Sequence, residues 1–90
     1  MEKDKHKTKV IFRKFSGKDY NTIIAIFPYE SYYGNDLFTV WSYMHVGQHG
    51  PCDYTRNIKN TTPATYSEYY DLMQELESIG YNLEVISKRN

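Results

Sequence analysis

One segment of the sequence carries a clear helical period, and it limits what the rest can be. In residues 65–81, TYSEYYDLMQELESIGY, Tyr69, Leu72, Met73, Leu76 and Ile79 recur at spacings of three and four and form one apolar stripe. Thr65 and Glu68 fit a capping box: the Thr oxygen takes an orphan amide and the Glu reaches back to the cap amide. Thr62 with Pro63 at the first helical position is an alternative start. Glu68 and Asp71 suit the positive end of the helix dipole. Gly80 supplies a left-handed stop, with Tyr81 placed for the contact that accompanies it.

The remaining apolar runs alternate like strands. Residues 9–15, KVIFRKF, put Val10 and Phe12 on one face and Ile11 and Phe15 on the other, which marks a central strand. A turn at residues 16–21, built on Gly17, Asp19 and Asn21, leads to the β-branched run at 22–27, so the two runs predict an antiparallel hairpin. Pro28 removes a ladder donor and is expected to end that strand. Residues 29–36, YESYYGND, then form a polar aromatic loop. Its Tyr29, Tyr32 and Tyr33 are either a lid over the core or part of a recognition surface.

Residues 37–46, LFTVWSYMHV, form a third strand. Phe38, Val40, Met44 and Val46, with Ser42 among them, are expected beneath the helix. Leu37, Thr39, Trp41, Tyr43 and His45 then make a half-exposed face of rings. Residues 47–65 show no period and predict a long ordered loop pinned by Tyr54 and Ile58. Residues 81–87 make a last strand, parallel to the third or at the far edge. The order β-β-β-α-β predicts an α+β domain: a small antiparallel or mixed four-stranded sheet with one helix on one face and the other face partly open. Residues 1–8 are expected as a flexible basic amino terminus, and residues 9–90 as a single domain.

Ninety residues bury about 60 to 68% of their unfolded surface, so the core is thin and gains from large rings or a second copy of the chain. Ten Tyr, four Phe and one Trp exceed what such a core needs and suit a half-buried binding surface. The single Cys rules out an intramolecular disulfide and, with no signal peptide in view, fits a reducing cytosol. No apolar run approaches the ~18 residues of a membrane span. Eleven basic and eleven acidic residues cancel, but residues 1–18 hold seven bases against two acids, and residues 66–79 hold four acids and no base. These are a solvated tail and helix face, a nucleic-acid contact, or opposite patches that pair between chains.

Chemistry-bearing types crowd residues 41–56. His45, His49, Cys52 and Asp53 form H-x3-H-x2-C-D, all metal-ligand types, but without the paired short spacings of a closed site. The histidines are instead expected to make hydrogen bonds that fix the loop or touch a polar ligand. Cys52 with a His could be a nucleophile and base, yet no helix amino terminus is read after it to lower the thiol pKa. No phosphate loop occurs, and Glu30, Asp36 and Asp53 form no evident catalytic pair. The chain is therefore expected to be non-enzymatic, with no cofactor and no metal. What remains is ring recognition: Trp41, Tyr43 and His45 at period two stack a base or nucleotide, with Gln48, His49 and Arg56 as polar contacts. The competing reading makes these rings a second small core or a homodimer interface.

At KVIFRKF, FPYE, SYMHVGQH with DY after it, and TPATYSEYYDLMQELESIGYNLEV, the chain resembles a family of short uncharacterised proteins encoded by phages and mobile elements of gut Bacteroidetes. The matching string contains Tyr43, His45, Gln48, His49, Asp53 and Tyr54. The resemblance implies a small accessory protein in the bacterial cytoplasm, used in the contest between phage and host. It brings no established activity.

The expectation is thus a small binding protein whose site is Trp41, Tyr43, His45, Gln48, His49, Asp53, Tyr54 and Arg56. Its ligand would be a nucleotide-like signalling molecule held without chemistry, or a host defence protein. A homodimer would complete the core and share the pocket. The alternatives are a nucleic-acid-binding protein using the basic amino-terminal segment, and a protein adaptor or inhibitor acting through the acidic helix or the Tyr-rich loop.

Overall fold

A computed structural model describes residues 7–15, 23–44 and 49–89. The elements are β1 (Thr8–Phe15), β2 (Ile23–Ser31), β3 (Thr39–Tyr43), β4 (His49–Asp53), α1 (Tyr54–Asn60), β5 (Thr61–Pro63), α2 (Tyr66–Ser78) and β6 (Leu83–Val85). Six strands form one sheet in the order β4-β3-β2-β1-β5, with β6 also on β1. The pairs are antiparallel except β1 with β6, which is parallel. The α+β class stands, but the expected four strands and single helix become six and two.

The added elements lie in the segment read as a long loop. Asp53 caps α1 by accepting from the Arg56 amide at 2.9 Å, and Tyr54 and Ile58, four apart on one face, pack on the sheet. Arg13 closes the other end of α1: its guanidinium donates to the carbonyls of Ile58 at 2.9 Å and Thr61 at 2.6 Å. That supplies acceptors at a helix carboxyl end with a cation. β5 follows at once and pairs with Arg13, Lys14 and Phe15, while β6 pairs with Thr8, Lys9 and Val10. Two short strands therefore share one side of β1. The last strand lies beside the first, not the third.

Pro28 does not end β2. It is buried within the strand, and the ladder to β3 skips from the pair Phe27 and Trp41 to the pair Ser31 and Val40. The irregularity accommodates the missing donor, as bulges do. The expected turn at residues 16–21 lies outside the described residues, although the antiparallel β1 and β2 pairing it implied is present.

Both sheet faces are covered. On one, Val10, Phe12, Ala25, Phe27 and Tyr43 pack beneath Leu72 and Leu76 of α2. On the other, Ile11, Ile24, Ile26 and Val40 pack with Tyr54 and Ile58 of α1 and with Ile86. The faces of β3 are therefore the reverse of the expectation. Tyr43, expected half-exposed, is 1% exposed beneath α2, Val40 faces away from α2, and Phe38 is 74% exposed. The reason is register: Ala25 lies opposite Tyr43 and Phe27 opposite Trp41, and cross-strand partners share a face.

The α2 boundaries follow their sequence signals. The Thr65 amide donates to Glu68 Oε1 at 2.8 Å, half of the capping box. At the other end Gly80 adopts φ 114°, its amide donates to Glu77 O at 3.1 Å, and the Tyr81 amide donates to Leu76 O at 3.2 Å. This pair of bonds is a Schellman stop. Ile79, assigned to the stripe, is 54% exposed.

Candidate functional site: an aromatic cleft

Three chain segments converge beyond the edge of α2. On β3 and β4, Tyr43 lies opposite His49 and Trp41 opposite Pro51. The Tyr43 and His49 ring centroids are 4.5 Å apart, and those of Trp41 and His49 6.3 Å. The Schellman turn after α2 brings in Tyr81, which stacks on Phe27 at 5.2 Å with 10° between planes. Its hydroxyl is 3.0 Å from His49 Nε2. Tyr32 leans on the far side of Trp41, centroids 4.6 Å apart. The result is a cleft of about 500 Å³ lined by Thr8, Phe27, Glu30, Trp41, His49 and Tyr81.

The electrostatics of the cleft are simple. Glu30 is the one charged side chain among those six. Partial burial first, and the Glu30 charge second, push the Tyr81 hydroxyl above the ordinary tyrosine range. Tyr81 is thus a phenol at neutral pH, hydrogen-bonded through its hydroxyl to His49 Nε2. Tyr43 is buried against the His49 ring, and its hydroxyl donates to Glu75 Oε2 on α2. Trp41, 37% exposed, keeps ring surface free for a ligand.

Of the residues expected to form a site, Trp41 and His49 come together above Tyr43. His45 and Gln48 lie outside the described residues. Asp53 is the α1 cap, and with Arg56 and Lys59 it borders a separate shallow depression. Tyr54 packs into the second core with the Arg89 guanidinium 3.8 Å above its ring centroid. Thr8, Phe27, Glu30 and Tyr81 were not among the expected site residues, and Tyr32, read as part of a lid or recognition surface, leans on Trp41. Phe27 was readable as a helix-side residue of its strand, but its pairing with Trp41 needed the register across the bulge. Tyr81 was read as the contact at the helix stop and as the first residue of the last strand.

Cys52 and His49 alternate along β4 and face opposite ways: Cys52 packs with the second cluster, His49 against Tyr43 and Tyr81. They form neither a nucleophile and base pair nor a shared metal site. Among the described residues no group of three His, Cys, Asp or Glu side chains is placed to hold a metal. A helix does begin just after Cys52, contrary to expectation, but Asp53 occupies its first amides. Desolvation raises the thiol pKa, more than the hydrogen bond from Ser42 lowers it.

A larger depression of about 780 Å³ opens where β5 and β6 part along β1. Two of its cations have partners: Lys9 lies 3.6 Å from Glu84, and Arg13 is turned to Thr61 and Ile58. The aromatic cleft, with free ring surface and an acid that forms no ion pair among the described residues, is the stronger candidate.

No protein-family model, no curated protein and no solved structure matches the chain. Among the described residues no helix is long and apolar enough to cross a membrane.

Proposed function

We propose that this chain is a small non-enzymatic accessory protein of phages or mobile elements that binds a nucleotide-like molecule, with counter-defence as its setting. The observation that carries the binding reading is the convergence of Trp41, His49 and Tyr81 on one cleft, with His49 packed on the buried Tyr43 ring. Its volume suits a small ring-bearing molecule, and a stacked base contributes about 1–3 kcal/mol. Glu30 also borders a shallower depression whose other walls include Lys7 and Lys9, where a phosphate would meet cations. A lone carboxylate and a half-buried thiol of raised pKa favour holding a ligand over transforming it. Thermal shift and calorimetry against nucleotides, cyclic nucleotides and nicotinamide derivatives test the reading. Absence of stabilisation by every one of them ends it.

A second reading, contact with a host protein, draws on Tyr33, 69% exposed, and Phe38, 74% exposed, on the segment between β2 and β3. Capture of a host protein that survives Trp41→Ala but is lost on Phe38→Ala would favour it. The nucleic-acid alternative draws less support: Lys9 and Lys14 face Glu84 and Glu68, and Arg13 points to the end of α1. It predicts steep loss of binding between ~50 and 200 mM salt. A homodimer formed by pairing of β4 edges would meet Pro51, which offers no N–H to a neighbouring strand.

A further inference from the structure

We propose that the aromatic cleft selects a ring carrying a positive charge, an N-alkylated pyridinium of the nicotinamide type, over the neutral form of the same ring. This rests on the binding reading above and deepens it. The faces of aromatic rings carry negative quadrupole potential and attract cations, Trp and Tyr most strongly. Trp41 and Tyr81 both line the cleft, and Phe27 stacks behind Tyr81 at 5.2 Å. That gives one wall two rings deep.

The one charged lining group has the matching sign. Glu30 forms no ion pair among the described residues, so its carboxylate is open to a cation in the cleft. Glu30 and Tyr81 line the same cleft, and the Glu30 charge is felt at the Tyr81 hydroxyl. The Tyr81 hydroxyl, 3.0 Å from His49 Nε2, ties the two rings together at the cleft. An anionic ring would meet Glu30 with no cation among the described residues that line this cleft; Lys7 and Lys9 line the neighbouring depression that Glu30 shares. A neutral ring would stack without using the carboxylate. A pyridinium satisfies both the rings and the acid.

The experiment compares 1-methylnicotinamide, a cation, with nicotinamide, the neutral ring, by calorimetry on the full chain at fixed ionic strength, for wild type and Glu30→Gln. Wild type should bind the cation about fivefold or more tightly than the neutral ring. Glu30→Gln should shrink that ratio while leaving nicotinamide affinity and the melting temperature unchanged. Trp41→Leu should weaken both compounds. Equal affinity of the two compounds, or a ratio that Glu30→Gln leaves intact, overturns the charge selection and leaves the cleft as a general ring site. Binding of uncharged-base nucleotides with neither pyridine compound bound has the same meaning. Failure of every ring-bearing compound removes the binding reading itself.

Discussion

The phenol of Tyr43 and the imidazole of His49 meet across the β3–β4 ladder, ring centroids 4.5 Å apart at 62°, so a buried residue of the core backs a ring that lines the cleft. The Tyr43 hydroxyl is tied to Glu75 on α2. Tyr43→Phe keeps the ring and removes one partner of a buried hydrogen bond, so it should destabilise the fold by about 1–2 kcal/mol. Tyr43→Ala also opens a cavity and should cost about 3–5 kcal/mol. Urea midpoints at unchanged slope check both values. Nicotinamide binding should persist in the Phe variant at permissive temperature, because the ring that His49 packs against remains.

Arg89 fastens the carboxyl-terminal segment to the face opposite α2. Its Nη1 donates to Pro28 O at 2.9 Å and Leu37 O at 2.8 Å, its amide donates to the Tyr54 hydroxyl at 3.2 Å, and its guanidinium lies over the Tyr54 ring. The bulge at Pro28 leaves that carbonyl without a ladder partner, and Arg89 supplies one. Arg89→Ala should cost about 1–3 kcal/mol. Arg89→Lys should recover only part of this, since an ammonium lacks the planar fork that serves two carbonyls and a ring together. Thermal denaturation of the two variants beside wild type decides the order.

Lys14 and Glu68 couple the end of β1 to the first turn of α2. The hydrogen bond from Lys14, and then that from the Thr65 amide, hold the Glu68 carboxyl below the ordinary glutamate range. A depressed folded pKa means stability that is fully present above the unfolded value and is lost as pH falls through the folded one. Wild type should therefore lose stability on acidification from the ordinary glutamate range downward, and Glu68→Gln should lose less over that window. The pair is exposed, so high salt should reduce the difference. Urea titrations across the acid range, at low and high salt, provide the measurement.

These relationships were unequally readable in the sequence. The α2 stripe, the Thr65 and Glu68 box and the Gly80 stop are local signals, each complete within four or five residues, and the structure contains all three, with Ile79 outside the stripe. β4, α1 and β5 are five, seven and three residues long. None spans enough turns or alternations for a period to accumulate, so the stretch read as a loop. β3 carries apolar side chains on both faces, and alternation alone has no means of saying which face meets the helix. That choice belongs to Ala25 and Phe27 on the neighbouring strand. The cleft is harder still, since Trp41, His49 and Tyr81 are joined only by the β3–β4 register and the exit angle of α2.

That exit angle depends on Gly80, which makes it a test of how the fold positions the cleft. Gly80 sits at φ 114°, and a Cβ there would meet no atom within 4 Å. Any penalty on Gly80→Ala is therefore backbone strain and not a clash. An L-residue forced into the left-handed region costs about 1–2 kcal/mol. The chain can absorb this as lost stability, or relieve it by loosening the two Schellman bonds and with them Tyr81. Gly80→Ala should lower the melting temperature and weaken binding of nicotinamide derivatives together. Gly80→Asn, a residue that tolerates the left-handed region, should recover much of both. Restored stability in the Asn variant without restored binding would show that Tyr81 does not hold the ligand.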